Sequence, residues 1–152
     1  PIVAPFEKQE VIELFQVVSS LERLGAEQAA LEMTDSDLKQ LHEYQTEMES
    51  HHSAGDRDAY FAVNQKIHAF IMDCARNKVL KFTHESLMAR VERARFFALS
   101  VEGRWDESIQ EHRELLSNLT GRDPENAGKC LAHHVLRTGE IVVGAIGKIQ
   151  EF

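Results

Sequence analysis

Eight histidines in a chain of 152 residues are the chemically distinctive feature of this sequence. Neutral imidazole is a ligand for Zn, Ni, Cu and Fe, so the question is how many of the eight one ion could reach. Side chains three or four residues apart share a face of a helix, and that rule sorts them. Phe61, Asn64, His68, Ile71 and Ala75 fall at such steps and make a largely apolar stripe. Asn64 and His68 project from it one turn apart, within reach of a single ion. Ile109, His112, Leu116 and Leu119 make a second stripe, and Ala127, Leu131, His134, Thr138, Ile141 and Ala145 a third. Each of the three carries one histidine towards the core. His133 is rotated from His134 by about 100° and shares a more polar line with Asn126, Arg137 and Glu140. His51 and His52 flank a loop at Gly55, and His42 and His84 have no inward partner, so these four read as surface residues.

A buried imidazole is costly unless its nitrogens find partners. One divalent ion satisfies three inward histidines at once, and three histidines with one amide oxygen leave coordination positions open. The same stripes also suit histidines hydrogen-bonded within a metal-free core. Glu111, beside His112, is a candidate carboxylate partner for the second ring nitrogen of a ligating histidine there, and a more distant group is an equal candidate. Cys130 lies beside the third stripe and offers soft sulfur, but it and Cys74 read first as small buried apolar residues. Trp105 reads as packing. No inward Asp or Glu stands out as a general base, and no phosphate loop, Walker motif or Ser/His/Asp order is visible.

The elements that must position these residues are helices. The apolar period is 3.6 throughout, with almost no strand-like alternation. Six helices are predicted: Phe6 to Met33, Asp35 to about Ser53, Asp56 to Cys74, Val79 to Leu99, Trp105 to Gly121, and Pro124 to near the C-terminus. Thr34 with Asp37 forms a capping box, Asp56 caps the third helix, and Asp123 precedes a proline at the first helical position. Pro1, Pro5 and Pro124 all lie near element boundaries. The chain is therefore read as one all-α helical bundle spanning 1–152.

Composition narrows the function classes. Asp and Glu outnumber Lys and Arg by 25 to 17, a formal net charge of −8, which disfavours direct nucleic-acid binding. No apolar run suits a membrane span. The first residues, PIVAPFEKQE, lack the layout of a secretory signal. Two cysteines are too few for a disulfide framework, which points to a reducing, cytoplasmic compartment.

Several segments together resemble one family. LFQVVSSLERLGAEQAALEMTDSDL, GDRDAYFAVNQKIHAFIMDCARNKVL, ESIQEHRELLSNLTGRDPENA and CLAHHVLRTGE look like the FCD domain, the effector-binding and dimerising domain of FadR-type GntR transcription regulators. The likeness runs from about Val11 to Ile149 and rests on spaced signatures in the family's order. These are the capped second helix, Phe61 with His68, the Asn77 turn, Glu111-His112-Arg113, and the DPENA start of the last helix.

The resemblance implies an antiparallel arrangement of the helices and a divalent metal (Zn, Ni or Mn) held by Asn64, His68, His112 and His134, the four residues that helical phase selects. It also implies a small carboxylic acid effector completing the metal's coordination, a homodimer, and no enzymatic activity. DNA would be bound only through a winged helix-turn-helix domain, for which this chain has no room. Two positions depart from the family pattern. The frequent acidic ligand is Asn64 here, and an arginine often found in the first helix is Val18. An effector carboxylate would then turn to Arg90, Arg93 or Arg95, with Arg90 and Arg93 the inward choices if Leu87, Ala94 and Phe97 mark the buried side. Two other classes remain from the residues themselves: a metalloenzyme with an open three-histidine site, and a metal-free helical interaction module.

Overall fold

The computed structural model describes residues 7–150. They form seven helices, α1 (Lys8–Glu32), α2 (Asp35–Ala54), α3 (Arg57–Cys74), α4 (Lys78–Glu85), α5 (Met88–Leu99), α6 (Arg104–Thr120) and α7 (Pro124–Gln150), with no strand among the described residues. The predicted start at Phe6, together with Pro1 and Pro5, lies outside them.

The predicted caps form. The Asp37 amide donates to Thr34 Oγ1 at 3.0 Å and the Thr34 amide to Asp37 Oδ2 at 2.9 Å, so two amides without helical partners are satisfied reciprocally. Gly55 ends α2 in the left-handed region at φ 71°, which suits a residue without Cβ. Asp56 then accepts from the Ala59 amide at 3.1 Å.

One prediction needs correction. The single helix expected from Val79 to Leu99 is two helices, α4 and α5, broken at Ser86 and Leu87. The Leu87 amide reaches only three residues back, to the His84 carbonyl at 3.0 Å, and the Ser86 hydroxyl donates to the Thr83 carbonyl at 2.6 Å. Such tightened bonds end a helical run without proline or glycine. The break has a spatial consequence. His84 and Arg95 are eleven residues apart, which along a straight helix is about 16 Å. With the helix broken, both side chains reach the same carboxylate of Glu22.

α1 and α7 share the most extensive interface of the bundle. Phe15 packs on Gly139, while Arg23 and Glu27 pack on Gly128, so the two helices run antiparallel. The glycines let them approach closely, and Ala26, Ala29, Ala30 and Ala127 are fully buried. A Cβ built on Gly139 would stand 2.8 Å from Phe15 Cβ, an atom that cannot swing aside, whereas one on Gly144 meets nothing within 4 Å.

These two glycines give opposite predictions. Gly144→Ala should raise stability by about 0.5–1 kcal/mol through helix propensity alone. Gly139→Ala should lower it by about 1–2 kcal/mol, because overpacking outweighs that gain. Thermal melts of the two variants check the signs, and equal shifts would contradict the close α1–α7 contact.

Candidate metal centre

Helical phase puts the three histidines where the sequence reading expects them. His68 on α3, His112 on α6 and His134 on α7 are all buried, at 1%, 2% and 5% exposure. Their ring centroids are 5.4 Å (68–112), 5.3 Å (68–134) and 4.7 Å (112–134) apart. One potential ligand atom from each lies within 4.8 Å of the others, a span one ion can bridge. Asn64 is buried one turn before His68 on the same face.

Hydrogen bonding singles out the inward atoms. His68 Nε2, His112 Nε2 and Asn64 Oδ1 are buried and have no hydrogen-bond partner. Leaving one buried polar atom unsatisfied costs about 1–3 kcal/mol, so two on neighbouring histidines, and a third one helical turn before His68, require an explanation. The outward nitrogens of His68 and His134, by contrast, are tied. His68 Nδ1–H donates to Glu22 Oε1 at 2.5 Å, and His134 Nδ1–H donates to Glu111 Oε1 at 2.6 Å. Both tautomers are thereby fixed with Nε2 facing the centre, the arrangement in which ligating histidines are usually held. A divalent ion fits this donor set.

Each carboxylate is itself clamped by a buried arginine. Glu22, with no solvent exposure, also accepts from Arg95 Nη2 at 2.5 Å and from His84 Nε2 at 2.9 Å. Burial works against its charge, but the Arg95 guanidinium and the His68 bond outweigh it and hold the carboxyl well below the usual range. Arg104, 1% exposed, donates from Nη2 to Glu111 Oε1 at 2.9 Å, to the His134 carbonyl at 3.2 Å and to Thr138 Oγ1 at 2.9 Å. Burial again opposes the Glu111 charge, while His134 and Arg104 bring its pKa down to about 2. Burial pushes His68 down to about 3, aided by Arg95, and lowers His112 and His134 as well. The Glu22–His68 contact is accordingly a neutral N–H on a carboxylate rather than an ion pair.

Other residues sort plainly. His84, read as a surface residue, is 2% exposed and belongs to the Glu22 cluster; the α4–α5 break brings it inward. His42 and His133 are exposed, while His51 and His52 are half-buried. Glu111 serves His134, on another helix, rather than the adjacent His112. Arg90 is exposed and 3.5 Å from Glu10, and Arg93 is exposed; Arg95 is the arginine of α5 that lies with the histidines. Cys130 donates its thiol to the Glu111 carbonyl at 3.6 Å and stands outside the histidine group. Trp105 packs edge-on against His52 and Tyr60. Glu22 is the residue the sequence reading missed. Its signal was available, since it lies four residues after Val18 and four before Ala26 on the buried face of α1.

The lowered histidines imply a pH dependence for the metal-free protein. Neutral when folded, they take up protons in the unfolded chain below its ordinary imidazole pKa of about 6.5. The unfolded state then binds more protons, and stability falls as pH drops from there towards 3, the value for His68. The loss should approach about 1.4 kcal/mol per pH unit for each histidine. Melting temperatures between pH 7 and 5 check this, and a flat profile would contradict neutral buried imidazoles.

The fold has known counterparts. At 18% identity, a GntR protein of Streptococcus agalactiae superposes with a TM-score of 0.74, over 87% of this chain and 59% of its own. McbR/YncC of E. coli gives 0.81 at 21% identity, over 96% of this chain and 71% of its own. A protein described as Lar, which controls expression of the Listeria monocytogenes agr system and mediates virulence, gives 0.74 at 13% identity, over 92% and 66%. This chain thus spans about three fifths to seven tenths of those structures. No curated protein matches it in sequence. Residues 13–137 match the FCD domain model. With that match over most of its length and an all-α bundle shared with GntR-type regulators, the chain belongs to the FCD domain family.

Proposed function

We propose that this domain is a metal-containing sensor of a small carboxylate. One divalent ion (Zn, Ni or Mn) is held by Asn64 Oδ1 and the Nε2 atoms of His68, His112 and His134. The observation that carries this reading is the buried group of three histidines with ligand atoms within 4.8 Å of one another, in which Nε2 of His68 and of His112 has no other partner. A bound ion would supply a Lewis-acidic position for an anionic oxygen. The chain's own residues do the rest. Glu22 and Glu111 orient the imidazoles, Arg95 and Arg104 neutralise those carboxylates, and the packed helices exclude water.

The regulatory consequence is linkage. The proposed ligands lie on α3, α6 and α7, so an effector bound among them can favour one packing of those helices over another. It shifts that equilibrium only by its differential affinity for the two packings. The output reaches DNA through a separate winged helix-turn-helix domain and a homodimer, in a cytoplasmic regulator. No helix of the described residues is long and apolar enough to cross a membrane. The metalloenzyme reading is less well supported, because Glu22 and Glu111 are both committed to arginine and imidazole and neither is free to act as a general base.

Elemental mass spectrometry of protein purified without chelator should find about one divalent ion per chain. His134→Ala, and the bulkier His134→Gln, should lose most of it while circular dichroism stays helical. Full metal content in both variants would overturn the assignment. Saturating Zn should stabilise the apo protein by about 4 kcal/mol when present near a thousandfold over its Kd. A melting temperature indifferent to chelator and to added metal would instead favour the metal-free module.

A further inference from the structure

Seven large apolar side chains are exposed among the described residues, and five of them lie on two neighbouring helices. Val17, Leu24 and Leu31 recur every seven residues along α1, so two turns separate each from the next on one outer stripe. Val79 and Phe82 stand one turn apart on α4, at 77% and 76% exposure. α4 lies antiparallel along α1. Asn77 donates from Nδ2 to Gln28 Oε1 at 3.2 Å, Leu80 packs beside Leu21, and His84 reaches Glu22. Leu31 and Val79 line one cleft, which joins the two stripes into a single face.

The centre of this face carries no charge, although 28% of the chain is charged. Between Glu13 and Glu32 the outer stripe of α1 reads Val17, Ser20, Leu24, Gln28 and Leu31. Arg23 and Glu27 lie to its side, with their stems against Gly128 of α7. On α4, Lys81 turns to Asp73 of α3 at 2.7 Å and Glu85 lines the same cavity, which leaves Val79, Phe82, Thr83 and Ser86 outward. An apolar centre depleted of charge, with charge at its rim, is the composition of an association surface.

Charge and symmetry point to a second copy as the occupant. At a net charge of −8 two chains repel, and an uncharged centre is where they approach without setting like charges together. The stripe is also complementary to itself. Turned antiparallel about Leu24, it sets Leu24 on its equivalent, Val17 on Leu31 and Ser20 on Gln28, the reciprocal pattern of two-fold symmetry. Lys78, at the Leu31 end, then comes beside Glu13 of the second copy, one turn before that copy's Val17. Neither Lys78 nor Glu13 has an ionic partner among the described residues.

We infer that a second copy of this chain docks on the α1–α4 face, antiparallel about Leu24, with Phe82 in the apolar centre and Lys78 and Glu13 paired at the rim. This rests on the homodimer reading above and is independent of the metal. It explains why side chains as large as Phe82 and Leu31 stay outward on helices whose other sides are buried.

Sedimentation velocity over a dilution series tests it, with circular dichroism as the check on folding. The chain should sediment as a dimer. Leu24→Glu and Phe82→Glu, both at exposed positions, should stay helical. Each should weaken association at least about tenfold, because two-fold symmetry places two new charges in the apolar centre. Phe96→Glu, on α5 and outside the face, should leave association unchanged. Lys78→Glu should weaken it about threefold or more, and adding Glu13→Lys should restore it, since the swap re-forms both rim pairs. Dimers that persist undiminished in Leu24→Glu and Phe82→Glu, or a double swap that fails to recover what Lys78→Glu loses, would overturn this inference and leave a homodimer built on another face. A chain that is monomeric at every concentration would overturn the inference and the homodimer reading together.

Discussion

A carboxylate without solvent access must be neutralised and hydrogen-bonded where it stands, and Glu22 meets that demand with three donors from three other helices. His68 comes from α3, His84 from α4 and Arg95 from α5, all onto the one side chain of α1. Removing a single partner from such a cluster leaves a buried charge exposed to a low dielectric. The geometry of the centre follows from this constraint. Because Glu22 takes the proton-bearing Nδ1 of His68, Nε2 is left to face His112 and His134. Because Arg95 cancels the carboxylate's charge, His68 can remain a neutral ligand beside it.

The other half of the site repeats the scheme with different elements. Glu111 takes Nδ1 of His134, and Arg104, set at the start of α6 after the left-handed Gly103, clamps Glu111. Two carboxylate–arginine pairs thus approach the histidines from different helices; the Glu22 pair is shut off from water, while Glu111 is half-buried. The metal proposal draws on the same charge balance. Pairs that are internally neutral orient ligands without contributing net charge, so a cation placed at the centre must find its counter-ion in whatever binds there.

Much of this was legible in the sequence, and the reasons are physical. The positions Asn64, His68, His112 and His134 follow from a 3.6-residue period on long, well-capped helices, where phase accumulates little error. The Thr34–Asp37 box and the Asp56 cap are local chemistry and form as read. What escaped was non-local or irregular. The break between α4 and α5 carries neither proline nor glycine, so nothing in the pattern marked it, and His84 was assigned to the surface as a result. Glu22 was in phase with Val18 and Ala26, yet a fully buried acid is rare, so its type argued against the position its phase indicated. Arg95 over Arg90 and Arg93 depended on which side of α5 meets Glu22, a tertiary fact. Glu111 reaches His134 rather than its neighbour His112 because adjacent residues on a helix point about 100° apart.

The central claim is that His68 and His134 are locked as Nδ1–H tautomers with Nε2, together with that of His112, presented to one ion. Long-range proton–nitrogen NMR of the imidazoles reports this directly, in the apo protein and after adding Zn. The account predicts Nδ1-protonated His68 and His134 before metal is added, and a metal-induced shift at Nε2 of His68, His112 and His134 together, with the other histidines unmoved. An Nε2-protonated His68 or His134, or zinc shifts confined to surface histidines such as His42 and His133, would contradict it.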